Sequence, residues 1–374
     1  MKKLFILHFS PLELYPPIQN LLSYLKDNFS HKNIFVITTA TNVAVLKDFK
    51  SASSQTKIIH LGKSGQNLGL FARYWSYLFF NLGSIIYLII KSPSHILYYE
   101  TLSAFPVYIY KRYFNKQSKV FIHYHEYTSP KEYEAGMILT KWFHNKEKWL
   151  YAHACWVSHT NEFRMNHFLN DIKPIELSNT HVFPNYPSIK WGTLTDNKIS
   201  NPLRVVYVGA LSMDTMYTKE FAEWVMLQKG QVIWDIYSYN ITAEAKAYLS
   251  GNDEWISLKS GVNYDELPPI LKNYNVGVIL YNGHIPNYIY NAPNKLFEYM
   301  ACGLDVWFPG KLTGSHGYIT HDTYPKVYAF NFTKLDQLSL NKVIDREGFS
   351  QKVSNYYSEN VSGEIAQQLM TDNN

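Results

Sequence analysis

Cysteine is nearly missing from these 374 residues, with Cys155 and Cys302 the only two. That excludes a disulfide framework and a cysteine-rich zinc site, and it fits a reducing, cytoplasmic setting. Charged side chains make up 17%, below the usual quarter. No G-x-G occurs, which removes the dinucleotide fingerprint and with it most nicotinamide and flavin chemistry. No D-x-D occurs either, so the common carboxylate pair that seats a divalent cation on a diphosphate is missing. Gly62-Lys63-Ser64 looks like the end of a P-loop, but the glycine required five positions earlier is Lys57. His123, His125 and Glu126 have ligand chemistry, yet no further His/Cys/Asp cluster adjoins them, and no metal is expected. No RNP, zinc-finger or basic-helix pattern is present, so nucleic acid is not an expected partner. The longest apolar tract, Leu78 to Ile90, is interrupted by Asn81 and Ser84 and falls short of the ~20 residues a spanning helix needs. Lys2 and Lys3 precede only Leu4 to Leu7 before His8, which is not a secretory signal.

What is there is apolar and aromatic. Hydrophobic residues reach 46% and aromatics 16%, with 31 tyrosines, so a packed core is expected and wholesale disorder is not. Charge is divided unevenly. Residues 1–190 hold 21 Lys and Arg against 11 Asp and Glu, and residues 191–374 hold 14 against 19. The first half at +10 faces something anionic, or else both halves simply solvate their charge. Short apolar runs alternate with helical patterns up to residue 183, and again from 204 to 308. That order predicts parallel sheets covered on both faces, hence an α/β chain of two Rossmann-like, doubly wound domains facing a cleft. The expected boundaries are 1–185, a linker at 186–202 marked by prolines and a polar stretch, 203–350, and a terminal helix in 351–374 packing back on the first domain.

The most informative stretch runs from Tyr288 to Trp307. Pro293 suits the entry to a helix opening near Asn294, whose free amides form an anion site. Lys295 adds positive charge there, and Glu298 lies one turn inside. The physics fits a diphosphate at the helix start and a carboxylate accepting from ribose hydroxyls. An amphipathic helix with both charges solvated fits the spacing too. Asn291-Ala-Pro-Asn-Lys-Leu-Phe-Glu-Tyr-Met-Ala-Cys-Gly303 closely resembles the donor-site helix of GT-B glycosyltransferases of the family 4 type. In that family an E-x7-E pair is common; Glu298 matches the second Glu, and the first falls on Tyr290.

The resemblance implies further site residues. Gly209 after Val205–Val208 matches the glycine loop under the donor phosphates. No Arg follows in 210–216, so Lys219 is the cation carried over. Gly261 and Val262 match a loop whose backbone recognises the base, and Asn294, Lys295, Leu296 and Glu298 complete the donor side. In the first domain, His125 and Glu126 end a strand and resemble the family's His-acid motif, expected near the transferred sugar. Ser10, Glu13 and Tyr15 match the loop lining the acceptor side. The implied reaction moves a sugar from a nucleotide-diphosphate donor to a hydroxyl of a glycan or lipid-linked acceptor, as in surface polysaccharide synthesis. It implies retention of configuration, with no cofactor and no metal. Tyr290 and the absent Arg keep a second reading open, a degenerate subunit binding a partner or glycan; a nucleotide-sugar epimerase is a third. Finally, residues 69–90 carry Phe71, Tyr74, Trp75, Tyr77, Leu78, Phe79 and Phe80 with Arg73 and Lys91 at the ends. They read as a peripheral contact with the inner membrane face or as a helix buried in the first domain.

Overall fold

The computed structural model describes residues 3–29, 33–41, 56–64, 69–173, 175–177, 179–192, 199–251 and 254–370. The chain forms two compact units, Met1–Asn185 with Ser358–Asn374, and Tyr186–Tyr357.

In the first unit seven strands pair in parallel: β1 (Lys3–His8), β2 (Asn33–Thr41), β3 (Thr56–Ser64), β4 (His95–Tyr99), β5 (Lys119–Tyr124), β6 (Trp156–His159) and β7 (Thr180–Val182). Their order across the sheet is β3-β2-β1-β4-β5-β6-β7. The central strands are near-continuous apolar runs because helices cover both faces. The helices between them are α1 (Pro16–Asn28), α2 (Leu70–Lys91), α3 (Ala104–Ile109, continued by a π-turn to Phe114), α4 (Pro130–Ala135), α5 (Ile138–Tyr151) and α6 (Glu162–Asp171). One face buries Tyr77 and Phe80 of α2 with Val107 of α3 and Phe143 of α5. On the other face, Leu21 and Leu25 of α1 meet Ile365 and Leu369 of the last helix, Ser358–Met370. The helical pattern between β5 and β6 is broken at Gly136. Ser129 starts α4 with a capping box to Glu132, and α5 begins anew at Ile138.

The second unit repeats the plan with β8 (Leu203–Val208), β9 (Val232–Ser238), β10 (Ile256–Ser260), β11 (Val276–Val278) and β12 (Asp305–Pro309). A two-residue strand β13 (Thr323–Tyr324) precedes β14 (Val327–Phe330) and pairs with β15 (Ser350–Gln351). The main sheet runs β10-β9-β8-β11-β12-β14, the 3-2-1-4-5-6 order of a doubly wound dinucleotide-type sheet. Its helices are α7 (Thr218–Leu227), α8 (Ala243–Ser250), α9 (Leu267–Leu271), α10 (Pro286–Ile289), α11 (Asn294–Ala301) and α12 (Leu340–Ile344); the terminal Ser358–Met370 is α13. The expected linker is in part structure. Tyr186 packs on Phe297 at 4.6 Å and Trp191 is buried against Tyr264 at 4.6 Å, while 193–198 lie outside the described residues.

Helix α2 corrects the reading of residues 69–90 as a helix buried in the first domain, since only one side of it is covered. Tyr77, Phe80 and Leu88 are buried, whereas Phe71, Tyr74, Trp75, Leu78 and Phe79 are exposed. Among the described residues no helix is long and apolar enough to cross a membrane.

Candidate functional site

Each sheet reverses its order once, between β1 and β4 and between β8 and β11, and the crevice at such a switch point is where open α/β sheets bind ligands. In the second unit, Gly209 follows β8 with φ +130°. A Cβ there would lie 2.8 Å from Cε and 2.9 Å from Nζ of Lys295, so glycine is what lets the lysine lie along this loop. The ammonium donates to the Tyr281 hydroxyl at 3.3 Å and lies 5.6 Å and 5.5 Å from the ring centres of Tyr207 and Tyr281. Burial works to lower its pKa, but Tyr281, Tyr207 and Glu298 outweigh burial and hold it above the ordinary lysine value. The cation stays charged.

Glu298, one turn further, is 7% exposed. Burial pushes its carboxyl up to about 7, against the pull of Lys295 and a hydrogen bond with Tyr264. Two features hold α11 in place. Gly277 of β11 clears the way for the Tyr299 ring, which a Cβ would meet at 2.1 Å, and the Tyr299 hydroxyl accepts from the Val208 N–H at 3.1 Å. Pro293 begins the helix without a side-chain cap, so its N-terminal positive end keeps anion-binding capacity beside Lys295. The loop after β8 is tied to this corner as well, with Asn282 donating to the Asp214 carbonyl at 2.8 Å.

Not every expected donor-side residue joins this group. Lys219 is 59% exposed on α7 and its ammonium sits 3.9 Å from Glu223, so its charge is partnered in solvent rather than buried with Lys295. Leu296 is fully buried and its N–H donates to the Pro293 carbonyl at 2.9 Å, which commits the one polar group a leucine could offer as donor. The Gly261 N–H donates to Ser238 at 3.1 Å, and its Cα lies against the Tyr239 ring. Val262 is half-buried and packs on the core beside α11. Asn294 opens the helix as expected. Tyr281, Tyr207 and Tyr264 were not anticipated; nothing in their spacing marks them.

In the first unit, the switch point gathers His125, Tyr15 and Ser10. His125 is buried, with its ring stacked on Tyr99 at 5.0 Å and tilted against Tyr15 at 5.7 Å. Its Nδ1 lies 3.2 Å from Asn185 Oδ1, and Nε2 is buried with no hydrogen-bond partner. Burial lowers its pKa to about 4, so the ring is neutral at pH 7. Ser10 hydrogen-bonds Tyr15, and Glu126 is exposed. Glu13 is buried in the short turn Leu12–Leu14, off the open surface that an acceptor-lining role pictures. The residue that sequence reasoning missed is Glu100. At φ +60° directly after β4, it accepts from the N–H groups of His125 (2.7 Å) and Glu126 (3.3 Å). An acidic residue closing an apolar strand next to a switch point was the available signal. Among the described residues no group of three His, Cys, Asp or Glu side chains is placed to hold a metal ion.

The architecture is thus two doubly wound α/β units, each with a polar cluster at its switch point. No family model matches the chain, and no curated protein does. Solved structures do match over nearly the whole length. Sucrose-phosphate synthase from Thermosynechococcus elongatus is similar with a TM-score of 0.71 at 13% identity, covering 99% of this chain and 95% of that one. HepE from Anabaena, solved in complex with UDP and glucose, gives 0.62 at 13% identity over 99% and 95%. A UDP-N-acetylglucosamine 2-epimerase gives 0.61 at 10% identity over 99% and 96%. The chain therefore has the GT-B fold.

Proposed function

We propose that this protein is a glycosyltransferase that moves a sugar from a nucleoside-diphosphate donor to a hydroxyl of a glycan or lipid-linked acceptor, in polysaccharide assembly. The observation that carries this reading is the Lys295–Glu298 pair at the uncapped start of α11, on the β8/β11 switch point. As the sugar leaves, negative charge grows on the diphosphate. A half-buried ammonium and the positive end of a helix stabilise it without reorganising. Glu298, within hydrogen-bond reach of Tyr264, accepts from ribose hydroxyls when ionised. In this reading Lys295 does the work that a divalent cation does elsewhere, and configuration is retained, with the leaving phosphate drawing the proton from the acceptor hydroxyl. His125, neutral with an unpartnered Nε2, offers one hydrogen bond to the sugar or acceptor, with Ser10, Tyr15 and Glu126 around it. A neutral imidazole cannot serve as a cation there, so its role is a hydrogen bond rather than charge stabilisation.

The similar structures support a nucleotide-sugar donor, since one was solved with UDP and glucose. Calorimetry with uridine, guanosine and adenosine diphosphates tests it. One of the three binds, and Glu298→Ala weakens it by about tenfold or more, the loss expected for charge-assisted hydrogen bonds. No binding of any of them at millimolar concentration overturns the proposal. Tyr290, where related donor sites place an acid, favours a second reading, a subunit that binds nucleotide or glycan without turnover. Transfer or donor hydrolysis above background, abolished in Glu298→Ala, decides for the enzyme.

A further inference from the structure

The first unit holds a cavity of about 70 Å³, walled by the loop after β5 and by helices α5 and α6. Tyr124, Tyr133, His144, Tyr151, His159 and Phe168 line it, and their rings follow one another without a break. Tyr133 lies flat on His144 at 3.8 Å, and His144 is 6.4 Å from Tyr151. Tyr151 meets Phe168 edge-on at 5.2 Å, while Phe168 and Tyr124 each lie 4.9 Å from His159. Tyr124 and His125 are consecutive at the end of an extended strand, so their side chains point to opposite faces of the sheet. The cavity therefore lies across β5 from the His125 ring.

Charge and unmet hydrogen bonds define what fits. Glu126 and Asp171 stand exposed at the rim. Behind His144 lies Glu147, with no exposure at all. The Tyr98 and Tyr124 hydroxyls both donate to its Oε1, at 3.0 Å and 2.6 Å. Its Oε2 has no hydrogen bond and faces His144 Nδ1 at 3.6 Å. A buried carboxylate left half satisfied makes the space beside it favour positive charge. Lys148 also lines the cavity, but it is exposed and long enough to keep its ammonium in water. His159 is 2% exposed and neither of its nitrogens is hydrogen-bonded. Burial lowers its pKa well below the ordinary histidine value, so the ring is neutral and one nitrogen is an unused acceptor. Electron-rich ring faces, three carboxylates and that acceptor suit a cation that carries N–H groups. The volume admits a small head group and is too small for a hexose or a nucleotide. We infer that this cavity binds the protonated primary amine of a small organic ligand, its ammonium seated among the rings and donating to His159. A quaternary ammonium has the charge without the N–H, and an alcohol has a donor without the charge, so each fits less well. The inference stands apart from the sugar-transfer reading and holds or fails without it.

The test is a saturation-transfer NMR titration of the full chain with ethylamine, tetramethylammonium, ethanol and acetate, at a neutral pH where the amine is protonated. Ethylamine binds with a millimolar dissociation constant, the limit for so small a ligand. Tetramethylammonium binds about tenfold more weakly for want of an N–H, and ethanol and acetate do not bind measurably. His159→Phe keeps the aromatic wall and gives up no existing hydrogen bond, so it keeps its melting temperature. It weakens ethylamine about tenfold and leaves tetramethylammonium unchanged. Glu126→Gln/Asp171→Asn weakens both cations by about tenfold, because the rim charge is gone. No ethylamine binding at tens of millimolar overturns the inference, as does ethanol or acetate binding as well as ethylamine. So does ethylamine binding that neither variant changes, because the amine then sits elsewhere.

Discussion

Glu298 carries a burial cost that a purely structural side chain would shed. Its folded pKa of about 7 stands above the 4.5 of an ordinary glutamate, so the folded state holds the proton more tightly. The associated stability is fully present below the unfolded value and is lost as pH rises through about 7. Binding runs the other way. An ionised carboxylate accepts stronger hydrogen bonds from ribose hydroxyls than a protonated one, so nucleoside-diphosphate affinity rises between about pH 6 and pH 8. Glu298→Gln separates the two. Calorimetry across this range shows a sloping wild type and a flatter variant, any remaining slope belonging to the nucleotide's own phosphate. At the alkaline end the variant melts at the wild-type temperature or above it. Profiles with the same slope for the two proteins remove Glu298 from the ribose. Lys295 helps its neighbour to be tolerated, since the cation pulls the Glu298 pKa down against burial and lies in the space that Gly209 leaves without a side chain.

At the scale of elements, the loop between β5 and α4 hangs on one carboxylate. Glu100 sits at φ +60°, ψ 153°, a conformation that costs a non-glycine residue on the order of 1–3 kcal/mol, and in return caps two backbone N–H groups. Arg164 braces the same turn, donating to the His125 carbonyl at 2.5 Å and to Thr160 at 2.9 Å. Burial, then the nearby Glu126, push the Glu100 carboxyl up to about 8. Glu100→Ala orphans both donors and lowers unfolding free energy by about 2 kcal/mol, while Glu100→Gln keeps an acceptor and stays close to wild type in denaturant melts. An alanine variant as stable as the wild type refutes the capping role. The position of Glu100 at the end of an apolar strand was legible, but its hold on His125 was not, because 25 residues separate the two and only the β4–β5 pairing joins them. What was legible came from local pattern: the apolar runs of β1, β4, β5, β8, β9 and β12, and α11 with its proline entry. Elements lacking such a pattern escaped, namely α10, α12 and the short strands β13 to β15. Lys219 and Leu296 show the same limit at the site. The family resemblance implied them near the donor, but the partner of a lysine and the fate of an amide are settled by packing.

Across the whole molecule, the two units answer acid differently. The first buries His8, His123, His125 and His159, and burial lowers the pKa of each below the ordinary histidine value. The second keeps its histidines, His284, His316 and His321, exposed. A histidine with a depressed folded pKa gives stability that is whole above about pH 6.5 and drains as pH falls toward the folded value, because the unfolded chain takes up the proton first. For His125 alone, the drop to about 4 is worth on the order of 3 kcal/mol. Glu100 opposes this within the first unit, having the opposite sign, but it is one group against four. In the second unit Glu298 and Asp305 have raised pKa values, burial being the main cause, and both favour the folded state as pH falls. Acidification from about pH 7.5 to about pH 5 therefore drives the units apart, the first losing stability while the second holds. Calorimetric scans at the two pH values, with hydrogen exchange read on peptides of β1 and β5 against β8 and β12, follow each unit by itself. Protection of β1 and β5 falls first at the lower pH. If β8 and β12 open first, the buried histidines are not what governs the acid limit of this fold.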